Sequence, residues 1–272
     1  MTADIAISTY KHAGMARLAA GALPHIDNVR YVISWQSHDN APVPTALRER
    51  DDVTVVRCNR HGQSHNRNNA LQHCTSDIII ISDDDLIYHP EGIQQLIRAF
   101  EKTPEMELAA FRSIHDPHII FPDRETRLSV PLPKGYYVSC FEMAVRRNSP
   151  AGRLRFNPEF GLNSPRMHGG EDEMFLLSAI RRGLDCRFLP ITVCTHPDVS
   201  TGLKGTLSPE NLRSMGCTIA FYYRAGAIAR VPLKAWRLYR AGQAPLLRAM
   251  RFLTQGALAA PATYRRTRQY LW

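Results

Sequence analysis

The most informative absence in this sequence is that of acidic side chains from its last part. No Asp or Glu follows Glu210, whereas residues 211–272 contain 11 Lys and Arg. The whole chain has 34 basic and 25 acidic side chains, so its net charge of +9 comes entirely from this tail. A tail with basic but no acidic side chains predicts an anionic partner, either a lipid surface or a nucleic acid.

Other absences narrow the class of protein. No apolar run approaches the roughly 20 residues of a bilayer-spanning helix, and no basic stretch precedes an apolar one in MTADIAIST, so we expect no secretion signal. The six cysteines are scattered without a CxxC pair, which favours reduced thiols over disulfides or a zinc site. No zinc finger or RNA-recognition motif is present, so we expect no nucleic-acid partner. The sequence therefore predicts a cytoplasmic protein, either free or peripheral at the inner face of the plasma membrane.

What is present is an alternation of apolar runs with helical patterns, which predicts an α/β fold. Runs that are apolar on both faces occur at residues 3–9, 29–35, 52–58 and 76–82. Helical patterns follow at residues 11–23, 62–74 and 89–102. We expect a mostly parallel central sheet covered by helices, and we expect Ser64 to cap the second helix.

The second half of the chain has a different pattern. Residues 113–135 are rich in proline and charge, which predicts a long loop. A weak strand pattern follows at residues 136–147, then a helix from about Glu171 to Gly183 and a strand at residues 185–197. Amphipathic helical stretches make up the basic tail.

Three consecutive acids, Asp83, Asp84 and Asp85, directly follow the apolar run IIIIS. Open α/β sheets bind their ligands at the carboxyl ends of strands, which is where this triplet is expected to lie. Adjacent carboxylates repel one another by on the order of 1 kcal/mol per close pair, and a hard cation such as Mg²⁺ or Mn²⁺ removes that repulsion. The alternative is a solvated acidic turn that caps the next helix.

A second acidic cluster, Glu171, Asp172 and Glu173, follows two glycines at the predicted start of a helix. The helix dipole favours acids in a first turn, which by itself explains one or two of them. The two glycines indicate that a ligand approaches the backbone closely. A carboxylate at this position could serve as a general base.

Two isolated residues complete the set of candidates. Arg67 could meet a phosphate or pair with the aspartates, or it could be an exposed arginine of a helix. His196 follows a strand and precedes a proline, where it could be a ligand, although a lone histidine is more often structural.

The order of these features resembles that of family-2 glycosyltransferases of the GT-A fold, of the kind that builds bacterial surface polysaccharides. Arg67 and Asn68 stand 16 and 15 residues before Asp83, which is the family's spacing from its R-N segment to its D-x-D motif. Asp83 and Asp85 match that motif. ISTYK, at residues 7–11, resembles the family's opening P-T-Y-N, and GGEDE resembles its later G-G-E-D-x-E motif.

The resemblance implies an inverting transfer of a sugar from a nucleoside diphosphate, with UDP as the expected nucleotide. Asp172 would be the general base, and Glu171 would bind the acceptor. Asp85 and His196 would hold Mn²⁺ or Mg²⁺. The residues that would bind the nucleotide sugar are Thr9, Tyr10, Gln36, Asp39, Arg67, Asn68, Asp83 and Asp84.

One motif departs from the family pattern. Relatives usually end the second strand in a D-D-G-S type sequence whose acid contacts the base, and here the strand reads VISWQSHDN. Gln36, or Asp39 further on, would have to substitute for that acid. This motif therefore does not support the prediction that the nucleotide is a uridine nucleotide.

The resemblance also implies a division of the chain. Residues 1–205 would form the GT-A catalytic domain, with a nucleotide-sugar-binding half at 1–112 and an acceptor-binding half at 113–205. Residues 206–272 would form a basic amphipathic helical region. Its mixture of aromatic, leucine and basic residues suits an interfacial helix on anionic lipid, and a lipid-linked saccharide would then be the acceptor. Helices that pack on the domain with a solvated basic face are the alternative.

Two other functions remain open from the sequence. Clustered acids beside a basic tail also suit a metal-dependent nuclease or another phosphoryl-transfer enzyme that acts on nucleic acid. A catalytically inactive GT-A-like binding subunit is the other alternative. The presence of both Asp85 and Asp172 argues against it.

Overall fold

The structure, a computed structural model, describes residues 1–21, 23–114, 120–196 and 207–270.

Four parallel strands form the first half of the central sheet. The strands are β1 (Ala3–Tyr10), β2 (Val29–Gln36), β3 (Val53–Cys58) and β4 (Ile78–Asp83). They lie in the order β3-β2-β1-β4, and each neighbouring pair is parallel. Strands β1, β2 and β4 are buried along most of their length, as their apolar runs predict.

Helices connect and cover these strands. They are α1 (Lys11–Ala19), α2 (Thr45–Arg48), α3 (Gln63–His73) and α4 (Pro90–Lys102). Both α1 and α3 contact β1 and β2. Helix α4 begins with proline at its first turn and buries its apolar stripe, because side chains three and four positions apart share one face.

The prediction that Ser64 caps α3 is wrong. The residue before α3 is Gly62, which has a φ of 103°, and no side chain caps the helix. The Ser64 hydroxyl instead donates to the backbone carbonyl of Phe160 at 2.7 Å. The first turn of α3 is thereby tied to the second half of the chain.

An antiparallel strand continues the sheet beyond β4. This strand, β8 (Met143–Arg146), pairs with β4 on one side and with β6 (Leu108–Ile114) on the other. Strand β6 is parallel to β9 (Cys186–Thr195), which also pairs antiparallel with two short strands, β5 (Ile87–Tyr88) and β7 (Thr126–Arg127). The full order is β3-β2-β1-β4-β8-β6-β9-β5, with β7 beside β9. The predicted α/β fold with a mostly parallel sheet is confirmed.

The two predicted boundaries within the chain lie in different surroundings. The boundary after residue 112 falls inside β6. The boundary after residue 205 lies outside the described residues, as do residues 115–119 of the predicted long loop. The division into 1–205 and 206–272, and of the former into two halves, stays a prediction.

Between residues 207 and 270, which the structure describes, the tail forms three α-helices, α6 (Pro209–Tyr223), α7 (Ala227–Arg240) and α8 (Leu246–Thr267). Helices α6 and α8 approach so closely that a Cβ on Gly216 would lie 2.0 Å from the carbonyl oxygen of Leu253. Together they pack against α5 (Glu171–Arg181) and the loop before it. The shared apolar cluster consists of Phe160, Met167, Met174, Leu177, Cys217, Phe221 and Ala260. The inner face of the tail is therefore a packing surface.

Two further findings concern the whole chain. All six cysteines are buried free thiols, as predicted. In the part of the chain that the structure describes, no helix combines the length and the apolar character that crossing a bilayer requires.

Candidate active site

The carboxyl ends of β1, β2 and β4 meet at one edge of the sheet. In the parallel register, Ser8 of β1 lies opposite Ser34 of β2 and Asp83 of β4. The two acids that follow β4, Asp84 and Asp85, therefore emerge beside the end of β1. This is the edge at which open α/β sheets bind ligands.

Arg67 joins the two acidic clusters. Its side chain is only 3% exposed, so the alternative of an exposed helix arginine is wrong. Its Nη1 donates to Glu171 Oε1 at 2.9 Å and to Asp172 Oδ1 at 3.1 Å. Its Nη2 donates to both carboxylate oxygens of Asp83, at 3.1 and 3.2 Å. One buried guanidinium thus connects the end of β4 with the start of α5.

The pKa values of this group follow from burial and charge. Burial raises the pKa of Asp172 well above its usual range, and the neighbouring Glu171 carboxylate adds to the increase. Burial alone would lower the pKa of Arg67, but its carboxylate neighbours, Asp83 foremost, raise it well above the usual value. The guanidinium therefore stays charged, while Asp172 is a carboxylate with more than ordinary affinity for a proton.

Asp85 and His196 lie side by side at the same edge. His196 Nε2 is 3.4 Å from Asp85 Oδ2, and the other oxygen, Oδ1, is buried without a hydrogen-bond partner. Burial alone would raise the pKa of Asp85, but His196, followed by Arg17, lowers it below the usual value. The carboxylate is therefore ionised at neutral pH.

This pair has the chemistry of a divalent-cation site. Mg²⁺ binds through one or two carboxylates and takes further oxygens from substrate phosphates, so an unpartnered carboxylate oxygen beside an imidazole fits such an ion or Mn²⁺. Within the described ranges, no group of three or more His, Cys, Asp or Glu side chains forms a metal cage. Any cation here would need oxygens from a ligand as well.

Asp84 has a different environment from its two neighbours. It is buried, and it accepts hydrogen bonds from the Thr9 hydroxyl and from Arg17 Nη2, the latter at 2.6 Å. Burial raises the pKa of Asp84, although both donors oppose the increase. The acid therefore ties α1 to the edge of the sheet. The roles of Thr9 and Asp84 as nucleotide contacts stay predictions.

Gln36 and Asn68 are also engaged with the protein itself. The Gln36 side chain donates to the backbone carbonyls of Arg60 and Gly62, the latter at 3.2 Å, and so fixes the loop before α3. Asn68 donates to the Phe156 carbonyl at 2.8 Å and accepts the Phe156 N–H at 2.7 Å. Both side chains are buried. Their predicted contacts with a nucleotide are untested.

Tyr10 and Asp39 are the exposed members of the predicted set. Tyr10 is 42% exposed at the end of β1, and Lys11 Nζ lies 5.1 Å from the centre of its ring. Asp39 is largely exposed and lies 3.8 Å from His12 Nε2. An aromatic face and a carboxylate are therefore accessible to a ligand beyond the ends of β1 and β2.

Of the two glycines before α5, Gly170 is closely approached by a helix of the protein itself. A Cβ on Gly169 would meet nothing within 4 Å, so the close approach of a ligand there stays a prediction. Gly170 has a φ of 85°, and a Cβ on it would lie 2.6 Å from the Thr218 hydroxyl oxygen of α6. The first turn of α5 is thus in contact with the tail.

Several contacts of the site have no signal in the sequence. The Ser8 hydroxyl and the Cys140 thiol each lie 3.3 Å from a carboxylate oxygen of Asp83. The rings of Phe141 and His196 lie 5.4 Å apart. Of the site residues that the sequence did not identify, Arg17 is the one with a signal, because it is a basic residue on the helix that leaves the end of β1.

Comparison with known proteins adds a sequence relationship and a shared fold. Residues 38–152 match the family model described as glycosyl transferase family 2. No curated protein matches the sequence. Among solved structures, TarS 1-349 of S. aureus is similar with a TM-score of 0.59 and 13% identity, over 98% of this chain and 92% of that one. The complex of that fragment with UDP-GlcNAc gives a TM-score of 0.58 at 11% identity, with the same coverage.

A second solved protein shares the architecture. The mannosyltransferase PcManGT from Pyrobaculum calidifontis, in complex with GDP-Man and Mn²⁺, has a TM-score of 0.53 and 15% identity, over 97% of this chain and 74% of that one. At such identities the solved structures establish the fold alone. The comparisons therefore give a family-2 match over residues 38–152 and a shared architecture over nearly the whole chain.

Proposed function

We propose that the protein is an inverting glycosyltransferase that moves a sugar from a nucleoside diphosphate to a hydroxyl of a saccharide acceptor. The observation that carries the proposal is the Arg67 bridge, which holds Asp83 and Asp172 around a single guanidinium. It brings a carboxylate at the ligand-binding edge of the sheet next to a potential proton acceptor. Sugar transfer requires the donor site and the proton acceptor within reach of one reacting carbon.

Asp172 is the proposed general base. It would take the proton of the acceptor hydroxyl while the oxygen attacks the anomeric carbon, and Glu171 would orient the acceptor. The raised pKa of Asp172, which burial causes, suits a group that must accept a proton near neutral pH. A direct displacement inverts the anomeric carbon, since attack comes from the face opposite the leaving diphosphate.

Asp85 and His196 are the proposed residues that hold Mn²⁺ or Mg²⁺. When bound, the cation would supply Lewis-acid stabilisation of the leaving diphosphate. The unpartnered oxygen of Asp85 supports this assignment, and so does the Mn²⁺ in the PcManGT complex.

The nucleoside diphosphate is the part of the donor that we propose on the basis of the relatives. The neighbouring structures hold UDP-GlcNAc in one case and GDP-Man in the other. UDP is the first nucleotide to test. The accessible Tyr10 and Asp39 are the proposed contacts for its base and ribose, beside the nucleotide contacts predicted from the sequence.

We place the acceptor at a membrane. A lipid-linked saccharide at the inner face of a bacterial plasma membrane, in the synthesis of capsule, lipopolysaccharide or exopolysaccharide, suits a tail with 11 basic and no acidic residues after Glu210. Trp236 and Tyr239 of α7 are exposed beside arginines, as is typical of interfacial helices.

A donor screen tests the proposal. The protein is incubated with a panel of nucleotide sugars, with Mn²⁺ or with a chelator, and thermal stabilisation and release of nucleoside diphosphate are measured. We expect one or a few sugars to stabilise the protein and to be hydrolysed slowly, with Mn²⁺ required. Donor binding without any hydrolysis or transfer would favour an inactive binding subunit. Stabilisation by an oligonucleotide and by no nucleoside diphosphate would favour the phosphoryl-transfer alternative.

A further inference from the structure

A cavity lies between α6, α7 and α8, away from the acidic edge of the sheet. Its volume of about 940 Å³ is that of a ligand pocket. Its walls are mainly apolar and include Phe221, Val231, Pro232, Met250, Pro261 and Tyr264. The inner faces of these helices already pack on one another and on α5, so the cavity is additional apolar surface that the fold itself does not fill.

Large apolar side chains at the cavity are exposed. Ile228 of α7 is 84% exposed and Leu258 of α8 is 76% exposed, and both line the cavity. Single exposed apolar residues are ordinary on protein surfaces, but apolar side chains that border a large apolar cavity mark a binding surface.

The charges at the cavity are all of one sign. Arg181, Arg224 and Arg265 line it, and none of its lining residues is acidic. Arg181 also donates to the backbone carbonyl of Phe221, which fixes its guanidinium at the wall. Apolar walls with a cationic border are complementary to a molecule that combines a hydrocarbon chain with an anionic head.

We propose that this cavity binds one hydrocarbon chain of an anionic lipid, whose phosphate lies at the arginines. The inference deepens the proposed lipid-linked acceptor and in that respect rests on the proposed function. Arg181 ends the same helix on which Asp172 occupies the first turn. With a rise of 1.5 Å per residue, the two lie roughly 14 Å apart along α5. A lipid held here would keep the membrane surface within one short helix of the general base.

Calorimetry with a monomeric lipid analogue tests the cavity directly. Dodecyl phosphate, below its critical micelle concentration, is titrated into the full-length protein. We expect saturable binding of one molecule per chain, and at least tenfold weaker binding of inorganic phosphate and of uncharged dodecyl maltoside. No saturable binding, or equal binding of inorganic phosphate, overturns the proposal.

Two matched pairs of variants locate the binding. Ile228→Glu adds a negative charge at the cavity, and Leu247→Glu adds one at an equally exposed residue (85%) that does not line it. We expect the first to weaken binding at least tenfold and the second to leave it within twofold. Arg224→Gln with Arg265→Gln should weaken it roughly thirtyfold, whereas Arg240→Gln with Arg251→Gln, which removes the same charge elsewhere on the tail, should not. Equal losses within either pair overturn the assignment, provided that circular dichroism shows all variants folded.

The outcome is separable from that of the donor screen. Binding of dodecyl phosphate without binding of any nucleotide sugar would retain the lipid cavity and remove the glycosyltransferase proposal. Donor binding without lipid binding would do the reverse. A wild-type dimer in sedimentation that Ile228→Glu dissociates, together with no lipid binding, would assign the cavity to a second copy of the chain and overturn the proposal.

Discussion

Arg67 donates a hydrogen bond of 3.1 Å from its Nη1 to Oδ1 of Asp172. The same guanidinium holds Asp83 and Glu171, so three carboxylates share one buried positive charge. Burial and the adjacent Glu171 carboxylate raise the pKa of Asp172 within this cluster, which suits a group that accepts a proton. The arginine would thus position the proposed general base, Asp172, relative to the edge of the sheet at Asp83.

Replacing Arg67 should destabilise the protein. Arg67→Met leaves Asp83, Glu171 and Asp172 close together without a cation, and removing one partner of a buried ionic group costs about 3–5 kcal/mol. The free energy of unfolding in urea measures the loss. Arg67→Lys should recover part of it, because a lysine restores the charge but cannot reproduce the two-sided contact of the guanidinium. A loss below about 1 kcal/mol for Arg67→Met would contradict this view.

Replacing Asp172 should separate binding from catalysis. Asp172→Asn cannot accept a proton, so we expect transfer to fall about 10²–10⁴-fold while the affinity for the nucleotide sugar is retained. Initial rates and donor titrations measure the two effects. Normal turnover in this variant would remove Asp172 as the base.

The pH dependence of transfer should show the raised pKa of Asp172. The wild-type rate should increase with pH as this carboxyl loses its proton, and the midpoint should lie above the usual range of aspartate because burial raises the pKa. In Asp172→Asn this limb of the rate profile should disappear. A wild-type midpoint in the ordinary aspartate range would contradict the assignment.

Asp84 and Asp85 should respond to the same substitution in different ways. Asp85→Asn should abolish the effect of Mn²⁺ on donor binding, because the amide lacks the negative charge with which the carboxylate would hold the cation. Asp84→Asn should lower the free energy of unfolding by about 1–3 kcal/mol, since it weakens buried hydrogen bonds to Thr9 and Arg17. Thermal shift with and without Mn²⁺ measures both. Equal loss of the Mn²⁺ effect in the two variants would contradict the distinction.

How much of the fold and of the candidate site the sequence predicts depends on how far apart in the chain the interacting residues lie. The four parallel strands and the position of Asp83 at the end of one of them follow from local apolar runs, the last of which runs into three acids. Strand β6 has no clear signal in the sequence because Ala109 and Ala110, although fully buried, are weak strand formers. The contacts of Arg67 with α5 join residues 104 and 105 positions apart, so only the tertiary structure reveals them.

Asn68 shows how a motif can point to a residue without giving its task. The sequence identifies it through its spacing to Asp83. In the structure, its side-chain amide forms hydrogen bonds with both the N–H and the carbonyl of Phe156. Asn68→Ala should therefore lower the free energy of unfolding by about 1–3 kcal/mol, because it leaves these buried groups unpaired. Unchanged stability with weakened donor binding would instead favour its predicted role as a nucleotide contact.

A buried acid outside the site should make stability fall with increasing pH. Glu142 is fully buried and accepts hydrogen bonds from the Ser113 hydroxyl at 2.7 Å and the Ser139 N–H at 2.9 Å. Burial raises the pKa of Glu142 from 4.5 to about 7, although both donors oppose the increase. The folded protein therefore holds this proton more tightly than the unfolded chain does. The resulting stabilisation is complete below pH 4.5 and is lost as the pH rises to about 7.

Glu142→Gln should remove this dependence, because the amide does not titrate. Its oxygen can accept from the Ser139 N–H while its NH₂ group donates to the Ser113 hydroxyl. With about 1.4 kcal/mol per pKa unit, the wild type should lose about 3 kcal/mol more than the variant between pH 4.5 and 8. Urea denaturation at both pH values measures the difference. Glu173, whose pKa burial also raises to about 7, should leave a residual slope in the variant. Glu49→Gln, at an exposed position, is the control and should behave as the wild type. An identical slope in Glu142→Gln and the wild type would show that Glu142 is already ionised in the folded protein.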